Sequence, residues 1–116
     1  MANMMLLIVE DNANMRRVIR SIVKDLAEIR ECEDGARALA AYRQHQPDWV
    51  LMDIKMAAVG GIQATREIKA AFPEARIIMV TNYDDAELRE AARLAGASRY
   101  VLKENLLEIR DILAAS

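Results

Sequence analysis

The sequence predicts an α/β fold, five parallel strands alternating with five helices, in one domain over residues 1–116. Three observations predict it. Short apolar runs recur along the chain, and a run of that length suits a strand buried on both faces. Between these runs, apolar residues return at helical spacing. The connections are short, and alternation with short connections implies a parallel sheet covered on both faces, with right-handed crossovers.

The elements follow in order. Met5, Leu6, Leu7, Ile8 and Val9 form the first apolar run, which ends in Glu10 and Asp11. Asn12, Ala13 and Asn14 then read as a helix start. Met15, Val18, Ile19, Ile22, Val23 and Leu26 recur at helical spacing, with Arg16, Arg17, Arg20 and Lys24 largely on the other face. The first helix therefore has a core side and a basic side. Residues 27–33 form a weaker strand, with Ile29 and Cys32 facing in. Asp34-Gly35 is a turn, and residues 36–44 form an Ala-rich helix with Leu39 and Tyr42, stopped by Pro47.

Residues 49–53 are the third strand, closing in Asp53, and a small loop ends at Gly60-Gly61. Ile62, Thr65, Ile68 and Phe72 mark the third helix, closed by Pro73. Residues 76–81 are the fourth strand. Asp84 and Asp85 suit the start of the fourth helix. Its stripe, Leu88, Ala91, Ala92 and Ala95, is mostly small side chains. Such a stripe buries little area, so this helix should be less firmly held than the first. Gly96 ends it. Residues 99–102 are the last strand, Lys103 follows, and residues 104–115 are the last helix, with Leu106, Ile109 and Leu113 inward. There is no repeat, low-complexity segment or linker, and the final helix leaves no room for a second domain.

Composition bounds the function. With 53% apolar and 29% charged residues the chain is globular rather than disordered. A net charge of −2 lacks the excess of Lys and Arg expected of a nucleic-acid face. No apolar run approaches the roughly 20 residues of a membrane span. The start, Met1-Ala2-Asn3-Met4, lacks the regions of a signal peptide. A cytoplasmic protein with no membrane partner is expected. Cys32 is the only cysteine, which excludes an internal disulfide and reads as a buried, inert thiol. His45, the only histidine, reads as exposed near a helix end; alone it supports neither a histidine-cluster metal site nor a Ser-His-Asp triad. Met15, Met52, Met56 and Met79 read as core filler and Trp49 as packing.

In a doubly wound, flavodoxin-like (βα)5 sheet of order 2-1-3-4-5, the strand C-termini lie along one edge. Glu10 and Asp11, Asp53, Thr81 and Lys103 then meet there from four strands. Crowded carboxylates raise one another's pKa unless they share a cation. An all-oxygen cluster suits a hard ion, and Mg²⁺ takes one or two carboxylates while keeping waters for a phosphate to replace. Thr81 offers a hydroxyl and Lys103 a mobile positive charge. Metal, hydroxyl and ammonium together stabilise the oxygens of a transferring phosphoryl group. Asp53 is the expected nucleophile, since carboxylates form aspartyl phosphates.

With these residues placed, the chain resembles a receiver domain of a bacterial two-component response regulator over essentially its whole length. The resemblance rests on Val9-Glu10-Asp11-Asn12, Asp34-Gly35, Asp53-Ile54-Lys55-Met56 with Gly61, Thr81, and residues 96–103. It implies that Asp53 is the phosphoacceptor, supplied by a histidine kinase or phosphotransfer protein. It implies that Glu10 and Asp11 are the acid pair, with Asp11 the more direct Mg²⁺ ligand, and that the Lys55 backbone carbonyl also binds the metal. Thr81 and Lys103 match the phosphate-binding pair, and Tyr100 matches the aromatic that turns inward when Thr81 moves. The implied output surface is the fourth helix, last strand and last helix, and a homodimer on phosphorylation is consistent with it. The basic side of the first helix is either the kinase-docking face or a plain solvated face. The resemblance also implies no enzyme beyond the domain's own phosphotransfer and dephosphorylation.

Lys103-Glu104, with Tyr83-Asp84-Asp85 after Thr81, is similar to NarL/FixJ-type transcription regulators. Those usually continue into a DNA-binding helix-turn-helix domain. None is seen in this sequence, so the chain is either a stand-alone receiver or one excised from a longer protein, and DNA would be reached only through such an output domain. Three positions depart from the family, one of them Asn82, where a small residue is commoner beside Thr81. Ala57 stands where proline is usual, which removes a φ restraint from the loop. Glu104 also stands where proline with a cis bond is usual; a cis bond to a non-proline costs about 3 kcal/mol, so a trans bond is conceivable unless the site enforces cis. Asn82, Tyr83 and Lys55 are bulky near the site and are expected to limit water access and lengthen the phosphoryl lifetime. A pseudo-receiver, the same fold used as a phosphorylation-independent binding module, is the alternative, favoured only by Ala57. A phosphatase would need a second acid two residues after the nucleophile, where Lys55 stands. No Gly-rich phosphate loop follows the first strand, which disfavours a nucleotide-binding fold.

Overall fold

The computed structural model describes residues 4–115; Met1, Ala2, Asn3 and Ser116, at the two chain ends, lie outside the described residues. The five strands are β1 (Met4–Val9), β2 (Ala27–Cys32), β3 (Trp49–Met52), β4 (Ile77–Thr81) and β5 (Arg99–Leu102). They form one parallel sheet of order β2-β1-β3-β4-β5, the flavodoxin-like order expected. The helices are α1 (Ala13–Val23), α2 (Ala38–His45), α3 (Gly61–Ala71), α4 (Ala86–Ala95) and α5 (Glu108–Ala114).

The strand period of two divides the sheet residues between two cores. Leu6, Ile8, Leu51, Ile78, Val80 and Val101 pack with Ile19 and Val23 of α1 and Ile109 and Leu113 of α5. Leu7, Val9, Val50, Met52, Ile77 and Met79 pack on the other face with Tyr42, Ala64, Ile68 and Ala92. Both faces are covered, which is why the runs are continuously apolar instead of alternating.

Several elements differ from expectation. The last helix does not run from residue 104: Lys103–Asn105 form a 3₁₀ turn and α5 begins at Glu108. The tight turn keeps Lys103 against the sheet edge, where its ammonium is engaged by buried carboxylates. The second helix likewise opens with a 3₁₀ turn, Gly35–Arg37, because the Asp34 side chain accepts the Arg37 N–H at 2.9 Å. Val18, expected in the core, is 44% exposed. Ile19 and Val23 occupy the centre of the α1 stripe, and at 100° per residue Val18 falls on its margin. His45 is half-buried instead of exposed. Met52 and Met79 are fully buried, while Met15 and Met56 line the cores from half-buried positions. Cys32 is buried, its thiol donates to the Asp34 carbonyl at 3.1 Å, and burial pushes its pKa up, the condition of an inert thiol.

Trp49 is buried with the Arg76 guanidinium 4.6 Å from its ring centre. The fourth helix buries only Ala92 and Ala95. Among the described residues no peptide bond is cis, Lys103–Glu104 included. Among them also, no helix is long and apolar enough to cross a membrane.

Candidate functional site at the sheet edge

Strand register builds the site. Val9 pairs with Met52, so the residues that follow them, Glu10 and Asp53, emerge side by side. Backbone bonds carry the ladder past the strand ends: the Asp53 N–H donates to the Val9 carbonyl and the Glu10 N–H to the Cys32 carbonyl, both at 3.0 Å. Met52 pairs with Met79, placing Thr81 on the neighbouring strand end, and Thr81 pairs with Leu102, placing Lys103 one residue beyond.

The loop after Asp53 is held by close backbone approach. A Cβ on Gly61 would lie 1.8 Å from the Asp53 carbonyl oxygen, and one on Gly35 would lie 2.1 Å from the Val59 carbonyl oxygen. The Gly61 N–H donates to the Ile54 carbonyl at 2.8 Å. These contacts supply restraint where Ala57 lacks that of proline. The turn between them has Ala58 at φ 64°, a left-handed conformation unusual outside glycine.

Glu10 and Asp53 are buried, while Asp11 is exposed. One carboxylate oxygen from each lies within 4.8 Å of the others. The Lys103 ammonium lies 2.9 Å from Glu10 Oε1 and 3.4 Å from Asp53 Oδ1. The first contact is a close ion pair, and among the described residues Glu10 Oε1 has no other partner. Glu10 Oε2 accepts the Asn12 N–H at 3.2 Å.

Burial pushes the Glu10 carboxyl up to about 7; the nearby Asp53 charge adds to this and Lys103 only partly offsets it. For Lys103, burial pulls its pKa down, but contact with Glu10 and the charge of Asp53 outweigh burial and the net shift is upward. Lys103 is thus firmly ammonium and is the counter-ion of two buried acids. An all-oxygen set of three carboxylates fits a hard divalent cation such as Mg²⁺.

Thr81 is fully buried, and its hydroxyl oxygen accepts the Tyr83 N–H at 3.3 Å. The register therefore brings Thr81 to the site edge, with its observed hydrogen bond in the loop before α4. Lys55 is exposed, its Nζ 5.3 Å from the centre of the Tyr83 ring. Tyr100 lies on the edge strand, its hydroxyl donating to the Tyr83 carbonyl at 2.6 Å and its ring under the Arg89 guanidinium at 4.5 Å.

A model of the response regulator receiver domain matches residues 6–114. The chain belongs to this family. The receiver is 42% identical over 100 residues to the chemotaxis protein CheY of Bacillus subtilis, covering 84% of this chain and 83% of that protein. It is 41% identical over 98 residues to CheY of Halobacterium salinarum, covering 84% and 82%. A solved two-component response regulator of the LuxR family from Aurantimonas is 31% identical, with a TM-score of 0.88, 98% of this chain covered and 87% of that one. The chain is thus a receiver of two-component signalling with an acidic pocket formed by Glu10, Asp11 and Asp53.

The sequence reading missed Arg16 as a support of the site. It lies on the basic side of α1, expected to be either a kinase-docking or a plain solvated face, yet it donates to the Glu10 carbonyl at 2.7 Å and to Glu31 at 3.0 Å. Arg20 meets the same Glu31 carboxylate at 2.7 Å. Glu31 thus bridges two of the four basic side chains of α1. Helical spacing carries no signal for this, because Glu31 reaches α1 only through the pairing of β2 with β1.

Proposed function

We propose that this receiver accepts a phosphoryl group on Asp53 from a histidine kinase or phosphotransfer protein. The observation that carries the reading is the buried Asp53 carboxylate beside the Lys103 ammonium in a three-acid cluster. An Asp53 oxygen attacks the phosphorus of a phosphohistidine. The P–O bond forms as the P–N bond breaks, and the electron pair leaves on the imidazole nitrogen, which takes up a proton. Asp11, Asp53 and the Lys55 backbone carbonyl would hold Mg²⁺, with Glu10 beside them. When bound, the ion neutralises charge on the phosphoryl oxygens. Lys103 exchanges its contact with the Asp53 carboxylate for one with a phosphoryl oxygen, and Thr81 turns its hydroxyl to another.

Phosphorylation adds about −2 in charge at the sheet edge. Drawing Thr81 inward removes the acceptor of the Tyr83 N–H, loosening the loop that also holds the Tyr100 hydroxyl. Tyr100 and α4 then repack, and a partner reads the α4–β5–α5 surface. Asn82, Tyr83 and Lys55 shield the site from water, so Asn82→Ala should speed dephosphorylation; an unchanged rate counts against the shield.

The decisive test is mass spectrometry after incubation with acetyl phosphate and Mg²⁺. A single labile phosphoryl adduct is expected, absent in Asp53→Asn and reduced without Mg²⁺. An adduct surviving in Asp53→Asn, or none in the unmodified chain, rejects the site and leaves the phosphorylation-independent module as the reading.

A further inference from the structure

The edge of the sheet opposite β5 is the strand β2, which among the described residues pairs only with β1. An edge strand leaves every second N–H and C=O without a ladder partner. The Cys32 carbonyl accepts the Glu10 N–H, so Cys32 is turned toward β1. Alternation then turns the peptide groups of Ile29 and Glu31 outward. The two are finished differently. The Ile29 carbonyl is met by the Arg30 guanidinium at 3.3 Å, and Arg30 is clasped to Glu28 at 2.8 Å. Charged side chains of this kind guard an edge against pairing. The guard stops before Glu31.

There the edge opens into a cavity of about 440 Å³. The end of β2 lines it, with Arg16 of α1 from one side of the sheet and α2 from the other. On α2 the lining runs from Arg37 to Gln44, about 10 Å at about 1.5 Å per residue, the length of roughly three extended residues. The two sides differ in chemistry. Toward α2, Cys32 is buried, and Ala40 and Ala41 present only methyl groups, which leaves room for apolar side chains. Toward α1, the Glu31 carboxylate answers two guanidiniums, Arg16 at 3.0 Å and Arg20 at 2.7 Å, so positive charge is in surplus. Successive side chains of a strand point to opposite faces. A strand laid beside Glu31 therefore meets the apolar side and the cationic side in turn.

We propose that this cavity docks an extended segment of a partner protein, alternating apolar and acidic residues, which joins the sheet as a strand beside β2. Its backbone pairs with the outward N–H and C=O of Glu31, the mode of strand addition to a free sheet edge. Its apolar side chains enter the α2 side, and its acid meets Arg16 and Arg20. A second copy of this chain fits less well, because pairing β2 with β2 would have to break the Arg30 guard on both. The site lies at the far edge of the sheet from β5, and docking there needs no phosphoryl group on Asp53.

The probe is a fluorescein-labelled peptide of alternating Val and Glu, titrated with the unphosphorylated chain and read by anisotropy. One control peptide carries Gln for every Glu, and a second is methylated on its amide nitrogens. The probe should bind roughly tenfold more tightly than either control and weaken with salt. At saturation the Glu31 amide should exchange with solvent at least about tenfold more slowly, while the Cys32 amide, already turned to β1, is unchanged. Ala40→Trp, which fills the cavity from an exposed position on α2, should weaken binding roughly tenfold. Ala70→Trp, the same change at an exposed position on α3, should alter it less than about twofold. Circular dichroism of each variant checks folding, and the peptide controls and amide exchange stand without either variant.

No saturation below about 1 mM overturns the proposal. So does equal affinity for either control peptide, an equal loss in Ala70→Trp, or slowed exchange along β5 in place of Glu31. A dimer of this chain on sedimentation, with the Glu31 amide protected before any peptide is added, also overturns it and assigns the edge to a second copy. Loss of the Asp53 phosphoryl adduct leaves the docking untouched.

Discussion

Helices α1 and α4 border the same sheet and are held in different ways. The α1 helix buries Ile19 and Val23, and it is tied at both ends. Near its start Arg16 bonds the Glu10 carbonyl; at its end Arg110 of α5 donates to the Ile22 carbonyl and clasps Asp25 at 2.7 and 3.1 Å. The α4 helix buries two alanines, and its arginines pair with exposed acids of α4 and the loop before it. Apolar burial scales with area, and alanine offers the least of it. The difference separates a firmly held helix beside Glu10 from a lightly held one beside Thr81 and Tyr100. Both helices are amphipathic, so it is the size of the buried residues that separates them.

The contrast can be broken by mutation. Ile19→Ala should cost about 3 kcal/mol in urea unfolding, from lost burial and the cavity left in a tight core. Leu88→Ala, in a half-buried position on α4, should cost under about 1.5 kcal/mol. Equal costs would remove the distinction between a firmly and a lightly held helix. Amide exchange should likewise be faster along α4 than along α1.

Gly61→Ala should destabilise by about 2 kcal/mol, because its new methyl meets the Asp53 carbonyl at a distance no relaxation of a side chain can relieve. Gly60→Ala, whose Cβ would stand 3.2 Å from the Ile54 carbonyl oxygen, should cost less. If the two cost the same in urea unfolding, the loop is not pinned at Gly61.

Smaller effects sharpen the contrast through pH. The Glu10 pKa is raised on folding, so its contribution to stability is fully present below the unfolded value of 4.5 and is lost as pH rises toward about 7. Unfolding free energy of the Mg²⁺-free chain should fall across that window, and Glu10→Gln should flatten the fall. Mg²⁺ binding, which needs the carboxylate, should strengthen as pH rises through the same range, read by calorimetry.

The smallest effect concerns the outer clasp of α1. Contact with Arg110 lowers the Asp25 pKa from its ordinary 3.8, so the stability it adds is present above that value and is lost as pH falls through the lower folded value. Asp25→Asn should therefore lower the melting temperature slightly at neutral pH, and the gap from the unmodified chain should close in acid.

Much of this was legible in the residues. Buried strands announce themselves as continuous apolar runs, and their alternation with amphipathic stretches leaves few topologies. Glu10, Asp11, Asp53, Thr81 and Lys103 could be gathered at one edge because chain direction puts every strand end of a parallel sheet on the same side. The margins were not legible. Val18 shares the spacing of its helix but sits at the margin of the buried stripe of Ile19 and Val23. The 3₁₀ turn at Lys103 places its ammonium beside carboxylates distant in sequence, which local spacing does not announce.

The sequence by itself determined the fold class and the identity of the residues at the strand ends, since these follow from period, polarity and order along the chain; the strand order came from likeness to flavodoxin-like sheets. Tertiary structure decided the rest. It paired Arg16 and Arg20 with Glu31, set Glu10 Oε1 in a close ion pair with Lys103, pressed Gly61 against the Asp53 carbonyl and opened one cavity between α2 and the edge of β2. Each depends on distances between segments remote in the chain, and periodicity carries no information about those.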